Sequence, residues 1–348
     1  MLELLCKLEE EQSLSKSEWI QLIDSCNPKT AEALFKKARK QCEIYYNKKV
    51  FIRGLIEFTN FCKNNCYYCG IRRNNKNINR YRLTEDAIMS CCHTGYKLGF
   101  RTFVLQGGED LFFTDDRMVS IIKSIKSEFC DCAVTLSIGE RSMESYKRMY
   151  DAGADRFLLR HETFNKEHYE SLHPQELSSE NRQKCLYALK ETGYQVGSGF
   201  MVGSPGQTTE HLAEDMIFLK QLNPHMVGIG PFIPHHDTPF KNEKSGTIDK
   251  TLYMIGLLRL MLPGVLLPAT TALASLETDG RKKGILAGAN VVMPNLSPVV
   301  TRKDYSLYDN KRCLGDEAAE GVGLLKEEMK DIGYEIVVSR GDSLVKPV

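Results

Sequence analysis

The sequence predicts an α/β fold, a (β/α)8 TIM-type barrel with helical N- and C-terminal extensions. Three observations lead there. From Phe51 onward, short β-rich runs alternate with longer amphipathic stretches, the pattern of parallel strands joined by crossover helices. About eight such runs can be counted, as a closed barrel requires. The polar and glycine-rich clusters follow the ends of these runs, where a barrel of this type forms its working rim.

In chain order, residues 1–48 read as helical, with Leu2, Leu5, Leu8, Ile20, Leu22, Ala31, Leu34, Phe35 and Ala38 at mixed three and four spacings. The strands are expected at 51–58, 102–106, 133–137, 156–160, 196–202, 226–233, 266–271 and 290–293. Helices are expected between them at 84–98, 115–127, 142–152, 179–192 and 209–221, with Thr84, Ser142 and Thr209 as caps and Gly153 and Gly193 as stops. A last helix, 316–332, is expected outside the barrel. No linker cuts the chain of 348 residues. The expected organisation is therefore an N-terminal helical extension at 1–48, the barrel at 49–310 and a C-terminal helical extension packed on it at 311–348.

Composition excludes several functions. A formal charge of +1 with well-mixed charges argues against a nucleic-acid or membrane partner. The longest apolar stretch, 252–268, is broken by Arg259 and by Pro263-Gly264, too interrupted for a membrane span. Twelve cysteines with no signal peptide before them point to a reducing cytoplasm rather than a disulfide framework. The partner expected is a small molecule.

The chemistry begins at Cys62-Lys63-Asn64-Asn65-Cys66-Tyr67-Tyr68-Cys69, a CxxxCxxC triplet after the first strand. A cubane 4Fe-4S cluster needs four ligands, so three cysteines leave one iron open to a small molecule. The alternatives are metal-free core cysteines, or zinc, which a structural site would close with a fourth Cys or His. Other strand ends add Gln106-Gly107-Gly108-Glu109-Asp110, Ser137, Arg160-His161-Glu162-Thr163, Gly203 to Thr208, Thr270-Thr271 and Met293-Pro294-Asn295. Gly107-Gly108 could merely turn the chain or could admit a ligand close to the backbone. Arg160 and Glu162, sharing one face of an extended backbone, could be a structural ion pair or site residues. His235-His236 reads as loop shaping, because adjacent histidines cannot easily face one metal. The basic run from Arg72 to Arg82 reads as a loop covering the cluster or binding an anion. The cysteines at 6, 26, 42, 91, 92, 130, 132 and 185 read as small hydrophobes.

CxxxCxxC after the first barrel strand, with Gly-Gly-Glu ending the second, resembles the radical S-adenosylmethionine (SAM) superfamily. Longer motifs resemble its FeFe-hydrogenase maturase branch: Cys66-Tyr67-Tyr68-Cys69-Gly70-Ile71-Arg72-Arg73, Leu159-Arg160-His161-Glu162-Thr163, Met201-Val202-Gly203-Ser204-Pro205-Gly206-Gln207-Thr208, Gly228-Ile229-Gly230-Pro231-Phe232-Ile233-Pro234-His235, and Gly288-Ala289-Asn290-Val291-Val292-Met293-Pro294-Asn295. The resemblance covers residues from about 51 to 310.

The resemblance implies a barrel of the radical SAM kind with a 4Fe-4S cluster on Cys62, Cys66 and Cys69 and SAM on the fourth iron. It implies Tyr68 near the adenine, Gly107, Gly108 and Glu109 at the methionyl amine, Arg182 at its carboxylate, and Ser137 and Glu162 at other polar groups of SAM. Thr135, Arg160, Thr270, Thr271, Met293 and Tyr308 would line a deeper cavity that takes anions and the substrate. The implied partners are a small or organometallic iron substrate, an electron donor and other hydrogenase maturation proteins. Some members hold a second cluster with C-terminal cysteines; here Cys313 stands alone, so none is expected. Rival readings are a radical SAM enzyme of the methylornithine synthase or biotin synthase type, against which Arg160-His161 and the lack of suitable paired cysteines speak, and a non-enzymatic iron-sulfur electron carrier, which would need a fourth protein ligand.

Overall fold

The structure, a computed structural model, describes residues 2–312 and 319–345. Six parallel strands pair in consecutive order: Gly54–Thr59, Thr102–Gly107, Ala133–Ser137, Arg156–Leu158, Gln195–Ser198 and Met226–Val227. Their register sets Leu55 beside Val104, Val104 beside Thr135, and Thr135 beside Arg156. Helices cross between successive strands on the outside, so all the strand ends that carry polar residues open on one side.

The seventh and eighth positions are reduced to bridges. Parallel bridges join Met226 to Leu266, Pro268 to Val291, and Asn295 back to Leu55 of the first strand. Backbone bonds accompany them, from Val227 N to Leu266 O at 2.9 Å and from Leu296 N to Leu55 O at 2.7 Å. The fold is thus an α/β barrel whose continuous ladder spans six strands. The expected strand at 266–271 does not form, because Pro268 has no N–H to donate and Thr271 already begins the helix Thr271–Leu276. The expected strand at 290–293 shrinks to Val291–Val292.

Three expected strands are each divided, because their halves belong to different sheets. The run at 51–58 splits at Arg53: Lys49–Ile52 pairs with Val291–Val292 and with Glu335–Val337, whereas Gly54–Thr59 joins the main ladder. Likewise the upper pieces of the fifth and sixth runs, Met201–Val202 and Gly230–Pro231, pair with each other above the main sheet. The helices lie close to expectation. Thr84 and Ser142 cap Glu85–Lys97 and Met143–Asp151 by accepting from the third residue onward. For Thr209–Leu222 the cap is Thr208, one residue earlier than expected.

The N-terminal segment forms three helices, Leu2–Glu11, Lys16–Asp24 and Pro28–Tyr46. The last two open with capping boxes at Ser15 and Asn27, each supplying orphan amides with an acceptor. Helix Ile248–Met261, the core of the longest apolar stretch, is buried at every position from Thr251 to Met261. Its one interior cation, Arg259, satisfies its guanidinium on the carbonyls of Gly288, Pro263 and Val265 and on Asn290 Oδ1. Among the described residues no helix is long and apolar enough to cross a membrane. The expected last helix is observed as Val322–Asp331 after a short 3-10 turn; positions 316–318 of that expectation, and Cys313, lie outside the described residues. The strand Glu335–Val337 follows it into the lower sheet.

Candidate active site

The loop carrying Cys62, Cys66 and Cys69 has no regular structure and is shaped by side chains from the basic segment that follows it. Arg80 reaches under the loop and donates to the carbonyls of Asn60, Ile71, Arg72 and Asn75. Asn75 donates to Gly70 O at 2.7 Å, and Arg72 Nε to Asn65 Oδ1 at 2.7 Å. Arg82 forms a two-pronged pair with Asp110, at 2.7 and 2.9 Å. The run from Arg72 to Arg82 therefore covers and braces the cysteine loop.

The end of the second strand closes on the same loop. The Glu109 amide lies 3.4 Å from Cys62 Sγ. A side chain at Gly108 would place its Cβ 2.2 Å from Phe61 O and 2.7 Å from Cys62 Cβ, so only glycine permits this approach. At Gly139, φ is +77° and a Cβ would meet Glu109 Cγ at 2.0 Å. These glycines clear the space in which Glu109 turns toward the cysteines.

Around that carboxylate stand Lys63, with Nζ 3.2 Å from Glu109 Oε2, and Arg182, with Nη2 3.9 Å from Glu109 Oε1. Arg182 also faces Glu140, Nε to Oε1 at 2.7 Å, yet both atoms are buried without a well-directed hydrogen bond. Tyr68 donates its hydroxyl to His173 Nε2 at 3.1 Å, and His173 Nδ1 donates to Tyr169 O at 2.9 Å. Burial pushes His173 down to about 3, so its neutral ring accepts from the tyrosine.

Below lies a cavity of about 380 Å³ into which the three cysteines, Tyr68, Gly107 to Glu109, Ser137, Glu162 and Arg182 all face. Its deeper wall holds Arg160, Thr270, Thr271, Met293 and Tyr308. Arg160 Nη2 meets Glu162 Oε2 at 3.1 Å, off the direction of a hydrogen bond, and Arg160 Nε and Thr270 Oγ1 are buried without partners. Thr135 is placed differently. It lies beneath this cavity, beside Arg53 and Arg156 in a separate small gap, with its hydroxyl unpartnered.

Sequence reasoning missed a buried ion pair in the same wall. Glu57, fully buried, takes Lys311 Nζ on Oε1 at 2.5 Å and Asn295 Nδ2 on Oε2 at 2.8 Å. Lys311 also donates to Tyr305 O at 2.9 Å. A glutamate inside the apolar run Leu55-Ile56-Glu57-Phe58 was the available signal, since a buried carboxylate needs a partner. At the rim, His235, His236 and Asp309 bring ligand atoms within 4.8 Å of one another. The two rings stack at 4.4 Å and 21°, however, so their in-plane lone pairs run side by side instead of converging on one ion. His235 Nδ1 accepts from the Asp237 amide at 3.1 Å, and Asp309 holds His236 Nδ1 at 2.6 Å.

The three thiols face one cavity whose lining, among the described residues, holds no other cysteine and no histidine, which fits a cluster with one open iron better than a closed zinc site. Burial and the neighbouring thiols push Cys66 well up, and burial pushes Cys69 up to about 12, so an unliganded triplet stays protonated. Among the described residues every cysteine is free, and Cys42, Cys91, Cys92, Cys132 and Cys185 are buried.

A barrel whose mouth holds three cysteines, with a carboxylate and a guanidinium gathered beside them above a deep cavity, defines an enzyme that binds an open cluster and a zwitterionic ligand together. Residues 56–259 match the radical SAM superfamily, and the chain belongs to it. Its cofactors are a 4Fe-4S cluster and SAM. The chain is 48% identical over 283 residues to the [FeFe] hydrogenase maturase subunit HydE of Thermotoga maritima, covering 81% of this chain and 80% of that protein. It is 31% identical over 327 residues to the 3-methylornithine synthase of Methanosarcina acetivorans, covering 91% and 92%. A crystal structure of methylornithine synthase superposes with a TM-score of 0.82 at 26% identity, covering 96% and 97%.

Proposed function

We propose that this chain is a hydrogenase maturase of the HydE kind, which cleaves SAM reductively and acts on an iron-bearing small molecule during assembly of the FeFe-hydrogenase di-iron subcluster. The observation that carries this reading is the 48% identity to the Thermotoga maturase over four fifths of the chain. When bound, the cluster and SAM supply one-electron cleavage of the sulfonium, giving a 5′-deoxyadenosyl radical.

The chain's own residues hold and aim these groups. Cys62, Cys66 and Cys69 ligate the cluster. Glu109, with Gly107 and Gly108, takes the methionyl amine, and Arg182 takes the carboxylate, each charge meeting its complement. Tyr68, oriented by His173, lies along the adenine, and Ser137 and Glu162 receive the remaining polar groups. Arg160, Thr270, Thr271, Met293 and Tyr308 line the substrate's part of the cavity, and the unpartnered donors Arg160 Nε and Thr270 Oγ1 suit an anionic group there. Walls of Leu55, Leu158 and Phe232 help exclude water from the reacting atoms. The enzyme works in the cytoplasm with the other maturation proteins.

The deciding experiment is to delete this protein from cells that produce an FeFe-hydrogenase. Loss of hydrogenase activity, restored by the wild type and not by Cys66→Ala, is expected. Hydrogenase assembled normally in its absence would sink the maturase reading and leave the methylornithine synthase type to be tested by an assay for 3-methylornithine.

A further inference from the structure

Four charged side chains beside the cysteines form a chain of alternating sign: Lys63, Glu109, Arg182 and Glu140. Lys63 Nζ lies 3.2 Å from Glu109 Oε2, Arg182 Nη2 3.9 Å from Glu109 Oε1, and Arg182 Nε 2.7 Å from Glu140 Oε1. The proposed SAM site uses only the middle two. The outer two differ in freedom: the Lys63 side chain is 44% exposed and can swing into water, whereas that of Glu140 is 14% exposed and anchored.

The anchor is the residue before Arg182. Asn181 Nδ2 donates to Glu140 Oε2 at 2.6 Å, which leaves Oε1 to face the guanidinium. That second contact is short but off the direction of a hydrogen bond, and Arg182 Nε and Glu140 Oε1 are both buried with no hydrogen-bond partner. Opposite charge, rather than a directed bond, therefore holds Arg182 to Glu140.

Arg182 needs that anion. It sits at the start of helix Ser179–Thr192, the positive end of the helix dipole, and is buried. Among the described residues it has two carboxylates within 4 Å, Glu140 and Glu109. Without the charge of Glu140, the guanidinium would close the remaining gap to Glu109, and each would cancel the charge that the other offers a ligand.

We propose that Glu140 is a positioning residue for the zwitterionic end of SAM, holding Arg182 off Glu109 so that the two stay apart for the ligand's carboxylate and amine. This deepens, and rests on, the reading of Glu109 and Arg182 as the partners of those two groups. Lys63 gives up Glu109 to the arriving ammonium and moves into solvent, while Glu140 stays in place.

The test uses the cluster-loaded protein with Glu140→Gln, which keeps the side chain's size and removes its charge. Two ligands are compared by calorimetry: SAM, and 5′-methylthioadenosine, which has the adenosine and the sulfur without the amine or the carboxylate. The variant is expected to bind SAM at least tenfold more weakly than the wild type and methylthioadenosine within twofold of it, the loss in turnover falling on the KM for SAM rather than on kcat. Adding Glu140→Gln to Glu109→Gln should weaken SAM binding less than threefold further, because no carboxylate then remains for Arg182 to close on. SAM bound by Glu140→Gln within twofold of the wild type, or an equal loss for both ligands, overturns the proposal. Wild-type affinity for SAM in Arg182→Gln would instead overturn the placement of the ligand's carboxylate.

Discussion

Arg160 and Glu162 meet at the cavity wall, Nη2 3.1 Å from Oε2, because the residue between them points away and is locked there. The His161 ring is held between Ser198 Oγ at 2.9 Å and Asp215 Oδ1 at 3.1 Å, both residues fully buried. Glu162 pays for the arrangement with φ of +66°, a left-handed conformation that costs a non-glycine residue about 1 kcal/mol or more.

Replacing that residue should separate stability from function. Glu162→Gly is expected to be about 1 kcal/mol more stable than Glu162→Ala, because both lose the pairing with Arg160 and only glycine adopts this conformation freely. SAM affinity should fall at least tenfold. Thermal unfolding and equilibrium SAM binding read the two effects, and equal stability of the glycine and alanine variants would contradict the strain argument.

Gly108→Ala should act on the cluster from a distance of one side chain. The new Cβ would press on Phe61 O and Cys62 Cβ, which are backbone and near-backbone atoms with little freedom to yield. Iron and sulfide bound after anaerobic reconstitution are expected to drop to less than half of wild type, with secondary structure by circular dichroism unchanged. Full cluster content in the variant would show that the loop can move aside.

Much of this site was legible in the sequence because its parts are short and local. Cysteine spacing, the Gly-Gly-Glu strand end and the Arg-His-Glu triplet all occur within a few residues, and each sends side chains or backbone into the cavity lining. The Arg160 and Glu162 pairing was expected from alternation on an extended strand, but the strand ends at Leu158 and a left-handed turn brings about the meeting. What escaped depends on distant partners. Glu57 and Lys311 lie 254 residues apart, and nothing local announces that one will neutralise the other. The divided strands escaped for the same reason: Arg53 looks like any residue in a β-rich run until the two halves choose different neighbours.

The Glu57 and Lys311 pair makes a prediction of its own. Lys311→Met would leave a carboxylate buried with only Asn295 to satisfy it, and removing one member of a buried pair costs about 3–5 kcal/mol. The double variant Glu57→Gln with Lys311→Met should recover most of that loss. Urea unfolding of the four proteins completes the cycle; equal losses in the single Lys311 variant and the double variant would mean that the lysine stabilises by packing alone.

The C-terminal tail clamps the base of the barrel through Asp342, whose Oδ1 receives Arg156 Nη2 at 2.6 Å. Arg156 is buried and also donates to Arg340 O and Thr102 Oγ1. Burial alone would raise the Asp342 carboxyl, but Arg156 and then Arg340 outweigh it and hold it at about 2. An unfolded aspartate titrates near about 3.9, so as the pH falls the unfolded chain takes up this proton first. The contribution is therefore complete above about pH 4 and is lost as the pH falls toward 2. Asp342→Asn should be less stable than wild type at pH 7, with the gap narrowing between pH 4 and 2 in denaturant midpoints. A gap of constant size across that window would assign the tail's effect to its backbone contacts instead of its charge.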